Sequence, residues 1–314
     1  MVTDHPGTPA PSRADRWAPT LAMTAMTAVW GSTFFLIKDV LESIPAADFL
    51  AVRFWIAAVV MLAVLRRQTV ALDALARRRG VLLGAVYAVA QLLQTVGLET
   101  TAASVSGFLT GTYIVLTPVL GALLLRDHVP RVAWVAAVLA MVGIGVLSLQ
   151  GLAMGFGEAL TLGSAAIYAL HILALGRWST GSTALGLSTV QAAVIAVTCS
   201  VGALPGGLTL PSTGGQWASL LYMAVVAGAG ALLAQTWAQA HLTATRAAIV
   251  MAMEPVFAAV FAVLFGGESV TLRLLLGGGL VLGAMYLVEL RGASHPEDAS
   301  ALEDPPVEIL HHDV

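Results

Sequence analysis

Charge is what this chain has least of. Of its 314 residues only 11% are Asp, Glu, Lys or Arg, against 58% hydrophobic. A soluble domain carries about 25% charged and about 45–50% apolar residues. So few charges cannot coat a water-facing surface of this size, which argues against a soluble enzyme and a disordered protein. The net charge of −3 provides no basic face for phosphates, so no nucleic acid is expected as a partner. Cysteine is nearly missing: Cys199 stands alone, so no internal disulfide and no thiolate metal cluster is available. There is no HExxH and no Walker sequence, so neither a zincin-type metal site nor direct use of ATP is indicated. What remains is apolar, and the chain reads as a membrane protein whose first partner is the lipid bilayer.

A helix needs about 20 apolar residues to cross about 30 Å of hydrocarbon. Ten such runs are present, at about 18–38, 47–65, 80–98, 104–125, 131–149, 157–176, 184–204, 217–237, 244–265 and 273–290. Most are hydrophobic all round, as spans are. Pro45, Pro130, Gly151 to Gly157, Pro205-Gly206-Gly207 and Gly266-Gly267 supply the turns between them. With the N-terminus in the cytoplasm, 12 of the 15 basic residues lie inside, five of them in the loop 66–79, while Lys38 and Arg273 lie outside and Arg53 lies within a span. The positive-inside rule therefore places both termini in the cytoplasm and the chain in the cytoplasmic membrane. Residues 1–17, with Pro6, Pro9 and Pro11 and no apolar run, read as a cytoplasmic tail and not as a secretory signal. Residues 291–314, with Glu297, Asp298, Glu303, Asp304, Glu308 and Asp313 among three prolines, are expected to form a disordered acidic tail.

The two halves of the apolar region resemble each other. Gln94-Thr95-Val96-Gly97 matches Gln235-Thr236-Trp237-Ala238 at an offset of 141, and Ser104 then falls on Thr245, Gly107 on Ala248 and Asp127 on Glu268. Nearer the start the offset is 138, with Trp30 on Tyr168 and Arg53 on Gln191. Each copy holds five spans, at 18–149 and 157–290. An odd number sends the second copy through the bilayer upside down, the arrangement from which many secondary transporters are built. The expected fold is an all-α membrane protein of ten transmembrane helices in two inverted-topology five-helix repeats.

These residues also carry a family resemblance. Trp30-Gly31-Ser32-Thr33-Phe34, Lys38, Pro45 and Arg53 resemble the first two spans of the bacterial EamA family, within the drug/metabolite transporter superfamily. Leu109-Thr110-Gly111-Thr112-Tyr113 with Pro118 is similar to its fourth span, Met253-Glu254-Pro255-Val256-Phe257 to its ninth, and Gly267-Glu268 to the acidic signature that follows. The chain departs from the pattern at Asp127, in place of Glu, and at Ser269, in place of a basic residue. The resemblance covers about 18–290 and implies ten helices in two repeats, with export or uptake of small metabolites.

An ionisable group at the bilayer centre costs at least about 2.5–3.5 kcal/mol, so each needs a reason. Glu254 lies mid-span, and Pro255 beside it withholds a backbone donor, which predicts a kinked, hydrated point. Glu254 is read as a proton-carrying or substrate-binding group, against the alternative of a carboxyl that only holds neighbouring helices. Arg53, about 9 Å from the end of its span at 1.5 Å per residue, is within reach of the interface and is read as a structural or interfacial charge. Gln94 and Gln235 are repeat mates that can bind a polar ligand or stabilise helix packing. His171 can titrate near neutral pH or pack as an ordinary hydrogen-bonded side chain. Trp30, Phe34, Tyr113 and Tyr168 are central aromatics, suited to packing or to lining a pocket. Gly107-xxx-Gly111 allows close approach inside the bundle, and Gly279-xxx-Gly283 in the last span suits a homodimer.

The sequence therefore points to a secondary transporter of a small organic metabolite, amino acid or drug-like compound, working by alternating access with proton coupling as a further expectation. It calls for no cofactor and no metal. A channel or accessory subunit is the first rival, although no filter-like loops are present. An intramembrane enzyme is the weakest, lacking clustered ligands.

Overall fold

The computed structural model of the chain describes residues 13–126, 131–150, 153–180, 182–231, 234, 238 and 250–292. Its helices are α1 (Arg13–Leu41), α2 (Ala46–Val70), α3 (Ala74–Thr100), α4 (Ala103–Gly111), α5 (Tyr113–Leu125), α6 (Arg131–Ser148), α7 (Phe156–Trp178), α8 (Ala184–Ala203), α9 (Gly214–Leu221), α10 (Glu254–Leu264) and α11 (Leu272–Gly292). A π-helical segment, Tyr222–Gly230, continues α9. The exception to helix is a two-residue hairpin, β1 (Leu149–Gln150) and β2 (Ala153–Met154), paired antiparallel.

Local chemistry explains the boundaries. Pro45 precedes α2, Asp73 caps α3 by accepting from the Ala76 amide at 2.6 Å, and Thr213 with Gln216 forms a capping box on α9. Arg126, left-handed at φ 58°, stops α5. Six helical stretches, 18–41, 46–70, 74–100, 103–124, 156–178 and 184–203, are long and apolar enough to cross a bilayer. Those expected at 131–149 and 273–290 are α6 and α11, whose apolar stretches are shorter. The runs 217–237 and 244–265 are described only in part, and both expected tails lie mostly outside the described residues.

The exterior is apolar: Met141 is 70% exposed, Val138 63% and Leu275 61%. Side chains of this kind facing outward on every part of the bundle suit hydrocarbon and not water. Inside, α2 packs on α8, α3 on α7 and α8, α6 on α11, and α10 on both α1 and α4. Small residues set these distances. A Cβ added to Gly31 would come within 2.5 Å of the Phe257 Cβ, and one on Gly107 within 2.6 Å of the Ala258 Cβ, so α10 approaches α1 and α4 closely.

Two spans are broken near their middle. Thr112 separates α4 from α5, its hydroxyl donating to the Leu109 carbonyl at 2.5 Å. Ala252 and Met253 form a turn between helical Val250-Met251 and α10. The break falls directly ahead of Glu254-Pro255, where the kinked point is expected. The proline occupies the first turn of α10, where its missing N–H leaves no helical bond unmade. Thr112 and Met253 are 141 positions apart, the offset of the sequence repeat.

Candidate functional site

A cavity of about 330 Å³ lies among α1, α2, α3, α4, α5, α7, α8, the π-helical segment and the start of α10. Its size is at the lower end of small-molecule sites. Seven of the candidate residues line it: Trp30, Phe34, Gln94, Tyr113, Tyr168, His171 and Glu254. Gln235 lies outside the described residues. A second, shallower groove between α2 and α8, lined by Trp55, Val59, Val194 and Val197, is almost wholly apolar and faces the exterior.

The cavity wall is organised by hydrogen bonds. Tyr168 donates its hydroxyl to Gln94 Oε1 at 3.1 Å, and Gln94 Nε2 donates to Thr110 Oγ1 at 2.9 Å. Both functions of that amide are therefore used, and α3, α4 and α7 are tied through one side chain. The Tyr87 ring stands edge-on to Tyr168 at 5.2 Å and to His171 at 5.0 Å, favoured geometries for aromatic pairs. His171 Nε2 meets Gln191 Oε1 at 2.7 Å; since that oxygen only accepts, the imidazole donates from Nε2. The Tyr113 hydroxyl lies near the Glu254 carboxyl, so the head of α5 meets the head of α10 at the cavity.

Trp30 donates its indole N–H to the Ala227 carbonyl at 2.8 Å, and Ser32 Oγ bonds the Tyr222 hydroxyl at 2.8 Å. Both partners belong to the π-helical segment. Its wider turn misaligns backbone groups, which is why such segments recur at functional sites. Ala227 and Gly228 from the same segment border the cavity.

Arg53 belongs to the same wall. It is only 8% exposed and lines the cavity, with its guanidinium 5.4 Å from the Phe54 ring and 5.9 Å from the Phe49 ring. The expectation for Arg53 is a structural or interfacial charge; the structure places it, buried, on the cavity wall. Arg53 and Glu254 share one cavity without forming an ion pair.

The sequence reading left out Tyr87, Gln91, Gln191, Thr33, Thr95 and Thr110, all of which line the cavity. A signal existed for α3: Tyr87, Gln91 and Gln94 recur every three to four residues and so share one helical face.

Twenty of the 27 lining residues fall into pairs at the two repeat offsets. Trp30 and Tyr168, Thr33 and His171, Phe34 and Ile172, Ile37 and Leu175, Arg53 and Gln191, Phe54 and Ala192, and Ala57 and Ile195 are each 138 apart. Tyr87 and Gly228, Thr110 and Met251, and Tyr113 and Glu254 are each 141 apart. Among the described residues, no group of three or more His, Cys, Asp or Glu side chains is placed to hold a metal ion.

Residues 17–149 and, separately, residues 155–290 match the profile of the EamA-like transporter family. An uncharacterized transporter of the archaeon Archaeoglobus fulgidus is 29% identical over 271 residues, covering 86% of this chain and 85% of its own. A protein of known crystal structure shares the fold with a TM-score of 0.61 at 16% identity, over 88% of this chain and 99% of its own.

Proposed function

Because this chain belongs to the EamA-like transporter family, and is a multi-pass membrane transporter, we propose that it carries a small organic solute through the central cavity by alternating access. The observation that carries this reading is the pairing of the cavity wall. Ten pairs of lining residues stand at the offsets of the sequence repeat, so the same positions of two half-chains meet around one space. Two five-helix repeats of opposite orientation, at 18–149 and 157–290, produce such a wall when a twofold axis in the membrane plane runs through the cavity. Two near-equivalent states, one open to each side, then follow from the equivalence of the halves. The broken spans at Thr112 and Met253 supply the irregular backbone that transporters place beside the solute. The solute is a small metabolite, amino acid or drug-like compound, sized to the cavity. A channel or accessory subunit remains the rival reading. A homodimer through α11 belongs to this reading: Gly279 has nothing within 4 Å of an added Cβ, while one on Gly283 would meet Leu139 of α6 at 3.7 Å.

In this proposal both termini are cytoplasmic, the membrane is the cytoplasmic one, and Glu254 exchanges a proton during the cycle. The carboxyl opens on the cavity beside the Tyr113 phenol. An acid in that position can pick up a proton from either side as the cavity is exposed. The test is made in proteoliposomes with a solute chosen by a thermal-shift screen, since a ligand of the folded state raises its stability by mass action. Saturable counterflow is expected from a carrier; flux linear in concentration would indicate a channel, and none an accessory subunit. Glu254→Gln keeps the shape of the carboxyl and removes its titration. It is expected to leave thermal stability intact and to abolish the acceleration by an imposed pH gradient. Retention of full gradient-driven flux would make Glu254 a structural carboxyl.

A further inference from the structure

We propose that Arg53 binds the carboxylate of the transported solute, which makes the solute class a monocarboxylate with an apolar body. The inference rests on the transport reading only in calling the ligand a solute; the binding site stands on its own geometry. Arg53 is 92% buried, as its 8% exposure requires, and it belongs to the cavity wall. Its contacts are with ring faces, at 5.4 Å and 5.9 Å. None of its five N–H donors meets an acceptor among the described residues. A buried guanidinium in that condition is costly unless an anion completes it. Five donors without an acceptor among the described residues suit a carboxylate, which receives two parallel hydrogen bonds from a guanidinium.

The surroundings select the charge and shape of the partner. Arg53 is the only permanent cation among the described lining residues, so a dianion such as a phosphate monoester would remain half neutralised. Glu254 in the same cavity adds repulsion against the second charge. Tyr87 and Tyr168 lie within electrostatic reach of Arg53, and their edge-on rings form an apolar wall beside it. The repeat mate of Arg53 is Gln191, already engaged by His171 at 2.7 Å. The anion subsite therefore belongs to one half of the cavity alone.

The experiment uses the purified full chain in detergent, with binding of phenylacetate, phenylacetamide, phenethylamine and phenyl phosphate measured by calorimetry. Wild type is expected to prefer phenylacetate to its isosteric amide by about tenfold or more, the range for a hydrogen bond to a charged group. Arg53→Gln should bring that ratio close to one, and Arg53→Lys should keep part of it. Thermal unfolding of each variant shows whether it is folded, and the wild-type ratio is informative even where a variant is not. Equal binding of acid and amide by wild type, no binding of phenylacetate, a preference for phenyl phosphate, or an unchanged ratio in folded Arg53→Gln would each overturn the proposal. Acid preference without counterflow would leave the subsite standing and sink the transport reading. Counterflow of a neutral solute without acid preference would do the reverse.

Discussion

The two walls of the cavity are alike in position and unlike in chemistry. Some pairs keep their character: Phe34 stands opposite Ile172 in the repeat, Ile37 opposite Leu175, and Trp30 opposite Tyr168. Others are polarised: Arg53 against Gln191, Glu254 against Tyr113, His171 against Thr33, and Tyr87 against Gly228. The apolar pairs give the two sides of the cavity a common character. The polar pairs break the symmetry of the wall. Shape is held in common while charge is divided, the cation in the first half and the carboxylate in the second.

The strongest way to break this comparison is to move the acid across it. Glu254→Tyr alone is expected to lose gradient-driven flux. Adding Tyr113→Glu exchanges the two residues, which are neighbours at the cavity wall, and should restore a measurable part. The readout is solute uptake in proteoliposomes under an imposed pH gradient. A double variant no better than the single one would show that positions 113 and 254 are not equivalent.

A smaller effect separates the helical glycines of the two halves. Gly31 in α1 faces the backbone of α10, where an added Cβ would stand 2.8 Å from the Ala258 nitrogen and 3.0 Å from the Glu254 carbonyl oxygen. Backbone cannot step aside, so Gly31→Ala should cost about 1–3 kcal/mol by overpacking. Gly163 in α7 has nothing within 4 Å; Gly163→Ala should instead stabilise by about 0.5–1 kcal/mol, because alanine loses less backbone entropy in a helix. Opposite shifts in the thermal midpoint are the expected outcome. A common sign would mean that close packing of α1 on α10 does not distinguish the two sites.

The smallest effect concerns a cap. The Glu268 carboxylate, beyond the end of α10, accepts from the Ala103 amide at 2.6 Å and from the Ser104 amide at 3.4 Å, and also from the Ser104 hydroxyl. It thus caps α4 from the other half of the chain, where Ala102 offers no side-chain acceptor. Glu268→Ala should cost about 1 kcal/mol. Amide exchange at Ala103 and Ser104 should accelerate about fivefold, with little change elsewhere. Unchanged exchange there would remove the cap from the description. Its repeat mate, Asp127, lies outside the described residues.

The contrast between what was legible and what was not has one cause. Composition alone determined the solvent, since 11% charge cannot cover a water-facing surface. Run length and turn residues located the helices, and the offsets of 138 and 141 identified positions that the structure brings to one cavity. Seven of the candidate side chains were found because a polar or aromatic group in an apolar span is conspicuous by itself. The direction in which each helix faces was decided only by the tertiary structure. In water an apolar stripe marks the inner face of a helix; in a bilayer, lipid and protein interior are equally apolar, and the stripe vanishes. For that reason the inward turn of Arg53, the place of Tyr87 opposite Gly228, the turn ahead of Pro255 and the cap that Glu268 sets on α4 all had to come from packing. Each depends on which neighbour occupies the other side of a helix that looks the same all round.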